Sequence, residues 1–277
     1  MWCFLKNRNC SKIQLSISFM LSFYVSYFSC IDKTPALHKL VKRNDPTAIL
    51  DYIKQNNNVD IKDEQGETAL FKAATYGNIE IAKIMLLNGA DINAKSNSNS
   101  TPLLKAILCS KEAMIKYLLA EGADINARDK FLGGVLTMPA LRACGGPRTN
   151  MVSELQIMQL LVNSGADINQ KNTVGETLLF MASAAPIGYM RFLLENGIDI
   201  NAKNIYGETA LFEPTLIGNE KAVLLLLQNG ADPTVQSIFG ETPITIAKTN
   251  NYAKLLEYFE KYNTDDLMKI KDKGAYK

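Results

Sequence analysis

Side chains able to do chemistry are few in this chain, and their spacing does not bring them together. Among 277 residues there is a single histidine, His38. Ser-His-Asp and Cys-His arrangements could therefore form nowhere else. The sequence holds no G-x-x-x-x-G-K-S/T phosphate loop, no G-x-G-x-x-G turn and no H-E-x-x-H pair. Carboxylates do recur, at Asp91, Asp124, Asp167, Asp199 and Asp232. Calcium needs oxygens converging at about 2.4 Å, and groups one helix layer apart, roughly 10 Å, cannot share an ion. Each of these aspartates closes a Gly-Ala-Asp or Gly-Ile-Asp triplet, which suits a turn. The expectation is no catalytic residue, no metal site and no cofactor. Of the five cysteines, Cys109 and Cys144 fall near the ends of helices at different register positions, as a disulfide or as small apolar residues.

The glycines of those triplets, Gly89, Gly122, Gly165, Gly197 and Gly230, set a period of about 33 residues with one insertion and one deletion. A second marker keeps step: Gly66-Glu67-Thr68-Ala69-Leu70 returns as Asn99-Ser100-Thr101-Pro102-Leu103, Gly175-Glu176-Thr177, Gly207-Glu208-Thr209 and Gly240-Glu241-Thr242-Pro243. In each copy the threonine suits an N-cap, and proline follows it at the first helical position in two. A short helix with a stripe of Ala69, Leu70, Ala73 and Ala74 should end at Gly77-Asn78. A second helix, Ile79 to Asn88, is read with Ile81, Ile84, Met85 and Leu87 inward, and a polar hairpin-like loop leads to the next copy. Two such helices cannot bury their apolar faces alone, so each unit needs neighbours.

These motifs resemble the T-P-L-H, G-N-x-E-I-V-x-L-L and G-A-D-I-N-A signatures of the ankyrin repeat family over residues 34–259. The resemblance implies an all-α solenoid of about seven helix-pair units whose function is non-catalytic protein binding. The units run 31–62 as a degenerate cap, then 63–95, 96–128, 129–171, 172–203, 204–236 and a capping unit at 237–259, followed by a charged tail, 260–277. On the family's pattern His38 is the first helix's histidine, bonding turn residues, with a Thr34 to His38 spacing one residue longer. The third full unit is lengthened at Lys130–Gly134 and Gly145–Asn150, as a partner contact or as a tolerated insertion. The fourth is one residue short near Pro186. In the fifth, Pro214 stands where Ala73 stands in the first, so that helix should be shortened or bent.

Residues 1–30 differ from all that follows. Lys6, Arg8 and Lys12 precede an uncharged run from Ile13 to Ile31, the layout of an export signal. Ser29-Cys30 resembles the end of a bacterial lipoprotein signal, which makes Cys30 a lipidation site. An uncleaved anchor, an ordinary signal or a misassigned start are the other readings of the same segment. Without it the chain holds 27 basic against 28 acidic residues. That balance leaves no electrostatic footprint for nucleic acid. At 47% hydrophobic and 21% charged, the composition is that of a folded protein. The expectation is an exported, lipid-anchored monomer touching membrane only through its N-terminal segment. The alternative is a cytoplasmic regulatory or inhibitory protein.

In the ankyrin family, partners contact the turn tips and the exposed side of the first helices. The corresponding residues include Glu64, Gln65, Glu67, Thr75 and Tyr76, then Asn97, Ser98, Ser100 and Leu108, then Thr173, Val174 and Glu176. Farther along come Ile205, Tyr206, Leu216 and Ile217, then Ile238, Phe239 and Glu241. The tips grow apolar toward the C-terminus, and Val174, Ile205-Tyr206 and Ile238-Phe239 should align as a stripe that binds a protein partner. Packing of adjacent tips on one another is the competing account of the same residues.

Overall fold

The computed structural model describes residues 35–130, 133–137, 139 and 151–262. The signal and Cys30, the loop Gly145–Asn150, Cys144 and the tail beyond Tyr262 lie outside them. Helices come in antiparallel pairs: α1 (Ala36–Arg43) with α2 (Pro46–Asn56), α3 (Ala69–Tyr76) with α4 (Ile79–Leu87), α5 (Pro102–Leu108) with α6 (Glu112–Ala120). After α7 (Met151–Asn163) follow α8 (Leu178–Met181) with a 3₁₀ turn at Ala182–Ala184 and α9 (Ile187–Glu195), then α10 (Phe212–Leu216) with α11 (Glu220–Gln228) and α12 (Pro243–Thr249) with α13 (Ala253–Glu260). First helices pack on first helices, α1 on α3 on α5 and α10 on α12. Second helices pack in a parallel row, α2 on α4 on α6 and α9 on α11 on α13.

Small residues permit this closeness. Ala69, Ala73, Ala74, Ala82 and Ala106 are completely buried, with Leu70, Ile81, Met85, Ile107 and Met114 filling the gaps between layers. Gly77 ends α3 in the left-handed conformation, φ +76°. Asn78 then caps α4, its Oδ1 accepting from the Ile81 N–H at 3.0 Å. Thr101 and Thr242 cap α5 and α12 through their hydroxyls, at 3.3 and 3.1 Å. Thr68 and Thr177 hold the N-cap place without that bond.

Two sequence readings of the helices need correcting. Leu87 does not face inward but is 77% exposed. It lies six residues beyond buried Ile81, about 240° round the helix, off the stripe of Ile81, Ile84 and Met85. The lengthened turn of the third unit is also not purely a loop: β1 (Arg128–Asp129) pairs antiparallel with β2 (Gly133–Gly134). Pro214 has the expected effect. Helix α10 spans five residues, against eight for α3.

The recurring aspartates build turns. Oδ1 of Asp91, Asp124, Asp167 and Asp199 accepts from the N–H two residues on, at 2.9 to 3.0 Å, and Asp232 does so at 2.8 Å. Their own N–H groups reach back one unit, Asp124 to Asn93, Asp199 to Asn169 and Asp232 to Asn201, at 2.6 to 2.9 Å. These bonds fix the step from one layer to the next.

The first three units are also joined by a buried polar network. His38 Nε2 donates to the Glu67 carbonyl at 2.8 Å. The Glu67 carboxylate takes Lys72 at 2.7 Å on one oxygen and Lys105 of the next unit at 2.8 Å on the other, and Lys72 also meets Asp63 at 2.9 Å. Burial pushes the Glu67 carboxyl up, but the Lys105 and Lys72 charges outweigh it and hold it below the usual range. Burial also holds His38 below its ordinary value despite the carbonyl and Asp63 beside it. His38 is therefore neutral, Nε2 carrying the proton. Glu67, placed by family pattern at the partner face, is instead interior, 2% exposed, and Ser100 is buried too. Both seal the joint between units.

Three outcomes follow from this packing. Leu226→Ala should cost about 2 to 5 kcal/mol in urea unfolding, whereas Leu87→Ala should change stability by less than about 0.5 kcal/mol. Glu67→Ala, which leaves two partly buried ammonium groups facing one another, should cost about 3 to 5 kcal/mol. Because the folded-state pKa of His38 is lowered, the unfolded chain binds its proton first. Stability should be full above about pH 6.5 and fall as the pH drops below it, ahead of the loss from Glu67 and Asp63 near and below about pH 4. In His38→Gln, unfolding free energy should lose its slope between pH 7 and 5.

Candidate functional site

What the stacked helices leave free is a row of turn tips and the outer face of the first helices. Each tip is organised by one polar residue three positions before the turn glycine or asparagine. Asp63, Asn172 and Asn204 each accept, through Oδ1, the N–H groups two and four residues on, at 2.9 to 3.0 Å. Ser237 Oγ does the same for Phe239 and Glu241 at 3.3 Å. Backbone bonds close the loop, as from Asn204 N–H to the Glu208 carbonyl at 3.0 Å and Gly207 N–H to the Asn204 carbonyl at 3.0 Å. This polar position was overlooked in the sequence, although Asp, Ser or Asn recurs there in every copy. Gly66 shows why the corner is tight: φ is +74°, and a Cβ would meet Asn97 Oδ1 at 2.5 Å.

Adjacent tips are bonded to one another. The Ile205 N–H donates to the Val174 carbonyl at 3.0 Å and the Ile238 N–H to the Tyr206 carbonyl at 2.9 Å, just as Asn97 donates to Gln65 at 3.0 Å. The tips of the last three units therefore have one backbone geometry, and their side chains fall in two rows. Ile205 and Ile238 form one, 58% and 67% exposed. Val174, Tyr206 and Phe239 form the other, with the Tyr206 and Phe239 rings stacked at 6.4 Å and 25°. Phe239 is 68% exposed, while Val174 and Tyr206 are half-buried. The aligned stripe exists, and its aromatic members also pack on one another.

On the first helices, Tyr76 ends α3 and is exposed, as are Leu216, which ends α10, and Ile217, which caps it at the register of Tyr76. Thr75 and Leu108 are half-buried. Glu213 was not singled out in the sequence. It precedes Leu216 and Ile217 by three and four residues, on one helix face. Burial pushes its carboxyl up, and the charges of Glu208 and Glu176 push it further. Among the described residues no group of three or more His, Cys, Asp or Glu side chains could hold a metal ion. No helix among them is long and apolar enough to cross a membrane.

Known proteins agree with this architecture. No curated protein sequence matches the chain. Among solved structures it is similar to the ankyrin repeat domain of Bcl-3, a member of the IkappaB protein family, at 22% identity and TM-score 0.69, over 82% of this chain and 99% of that one. The human ASB11 ankyrin repeat domain is similar at 21% identity and TM-score 0.61, over 81% and 97%. At that identity the likeness concerns the fold alone. A family model of three ankyrin repeats matches residues 37–129 and 150–237, more than half of the sequence. With its paired helices, hydrogen-bonded tips and buried joints between units, the chain belongs to the ankyrin repeat family.

Proposed function

We propose that this ankyrin-repeat protein is a non-catalytic scaffold that docks a partner polypeptide along the tips and first helices of its C-terminal units. The observation that carries the reading is the double row of exposed Ile205, Ile238 and Phe239 with half-buried Tyr206, held in place by unit-to-unit backbone bonds. Large aliphatic and aromatic side chains lose little freedom when a partner covers them there, because the backbone beneath is already fixed. Leu216 and Ile217 extend the same apolar character onto α10.

The proposal also covers where the scaffold works. Lys6, Arg8 and Lys12 ahead of the uncharged run ending at Ser29-Cys30 support export with lipid attached to Cys30. The protein would then act from a membrane surface. Palmitate labelling that is present in the native chain and absent in Cys30→Ser, with release of that variant from the membrane fraction, is the expected result. No labelling of either would favour the cytoplasmic regulatory reading.

For the docking face, Tyr206→Ser with Phe239→Ser should lower stability by only about 0.5 to 1.5 kcal/mol, the worth of the ring stack. Ile205→Ser with Ile238→Ser should be nearly neutral for folding. Affinity capture followed by mass spectrometry should show proteins retained by the native chain and lost with both double variants. A large fall in thermal stability would mean that these residues serve the fold instead.

A further inference from the structure

The register that buries Glu67 recurs with a different outcome near the C-terminus. Glu67 stands just before the threonine at the start of α3. It touches the side chain four positions past that threonine in its own unit, Lys72, and its equivalent in the next unit, Lys105. Glu176 and Glu208 occupy the place of Glu67 in the fourth and fifth units. In place of the lysines stand Met181, Glu213 and Ile246. Asn172 and Asn204 donate to one oxygen each of Glu176 and Glu208 at 3.0 Å, but no cation among the described residues pairs with Glu176, Glu208 or Glu213. Glu176, Glu208 and Glu213 thus put three carboxylates, and no lysine, at the register that holds Glu67, Lys72 and Lys105 in the first units.

The Glu213 carboxyl is raised, first by burial and then by the charges of Glu208 and Glu176. This charge sits beside apolar surface. Glu213 shares its helix face with exposed Leu216 and Ile217, and the tips above Glu208 carry Ile205 and Tyr206. A small ion would use the charge and leave the apolar surface wet. A chain bearing both cationic and aliphatic side chains would use both.

We infer that the face formed by Glu176, Glu208, Glu213, Leu216, Ile217 and Ile205 docks a basic segment of a partner polypeptide, in which lysine or arginine alternates with aliphatic residues. The inference rests on the docking function proposed above and names the partner's chemistry. The cation meets these carboxylates from outside the chain, as Lys105 meets Glu67 from the next unit at 2.8 Å in the first units. The aliphatic residues lie on Leu216, Ile217 and the Ile205 row.

The test uses the full chain and two synthetic peptides, one alternating lysine with leucine and one with glutamate in place of lysine. The lysine peptide should bind at least about tenfold more tightly than its twin, and its affinity should fall with added salt. Glu176→Gln with Glu208→Gln and Glu213→Gln should weaken lysine-peptide binding by about tenfold or more, with an unchanged or raised melting temperature. Glu213→Lys should rebuild the internal pairing of Glu67 with Lys105, raise the melting temperature and abolish lysine-peptide binding, so that its loss cannot reflect unfolding. Ile205→Ser with Ile217→Ser should weaken both peptides. Equal binding of the two peptides, or full affinity in the glutamine and lysine variants, would overturn the basic-partner inference. The docking reading itself survives that result if the serine variant still loses binding, and falls with it if the serine variant binds as before.

Discussion

No helix pair in this protein can bury its own apolar surface, and every other feature follows from that constraint. Helices of eight or nine residues, such as α3 and α4, are too short to persist alone in water. They become stable by covering the pair on either side. The side chains at the joints are consequently fixed by the need for close approach: Ala73, Ala74, Ala82 and Ala106 have no exposed surface at all. Turn residues are fixed as well, since the ladder from Asn93 to Asp124 and from Asn169 through Asp199 and Asn201 to Asp232 determines how one layer follows another. What stacking leaves undetermined is the outer edge.

The same constraint explains what could be read from the sequence. Gly-Ala-Asp and Gly-Glu-Thr recur because a left-handed corner and a helix start must occur once per layer, and their repetition made the fold class legible without any structure. Exposure of Tyr76, Ile205, Leu216, Ile217, Ile238 and Phe239 was legible for the same reason, as a departure from polarity at known register positions. Leu87 was misread because a spacing of three from Ile84 suggests one face, whereas its angle from Ile81 places it on another. Glu67 was misread because the family pattern puts turn residues at the partner face. Its burial depends on Lys72 and on Lys105, which is 38 residues away in sequence and near only in the stack.

Glu67 and Glu208 show how one backbone register supports opposite electrostatics. A buried carboxylate is tolerated when cations on two units converge on it, and the net result joins three layers: the His38 contact on one side and Lys105 on the other. At the C-terminal end the carboxylates are retained and the lysines are not. Repulsion there works against the folded state, in contrast to the attraction near the N-terminus. Features that oppose local stability are expected where a site awaits a ligand rather than where a core is being built.

The tips support the same distinction from a different direction. Asp63, Asn172, Asn204 and Ser237 accept the same pair of N–H groups, so the loop conformation is set by that residue and the glycine that follows. The two residues between them are free of that task. They read Glu64-Gln65 and Asn97-Ser98 in the early units, then Thr173-Val174, Ile205-Tyr206 and Ile238-Phe239. Folding is served equally by the polar and the apolar pairs, because the backbone bonds are the same in both. Apolar side chains at the solvent edge cost solubility, and the contact they are seen to make along the row is the stack of Tyr206 on Phe239. The stack that carries them does not require their concentration beside Glu208 and Glu213, and the proposed docking of a partner accounts for it.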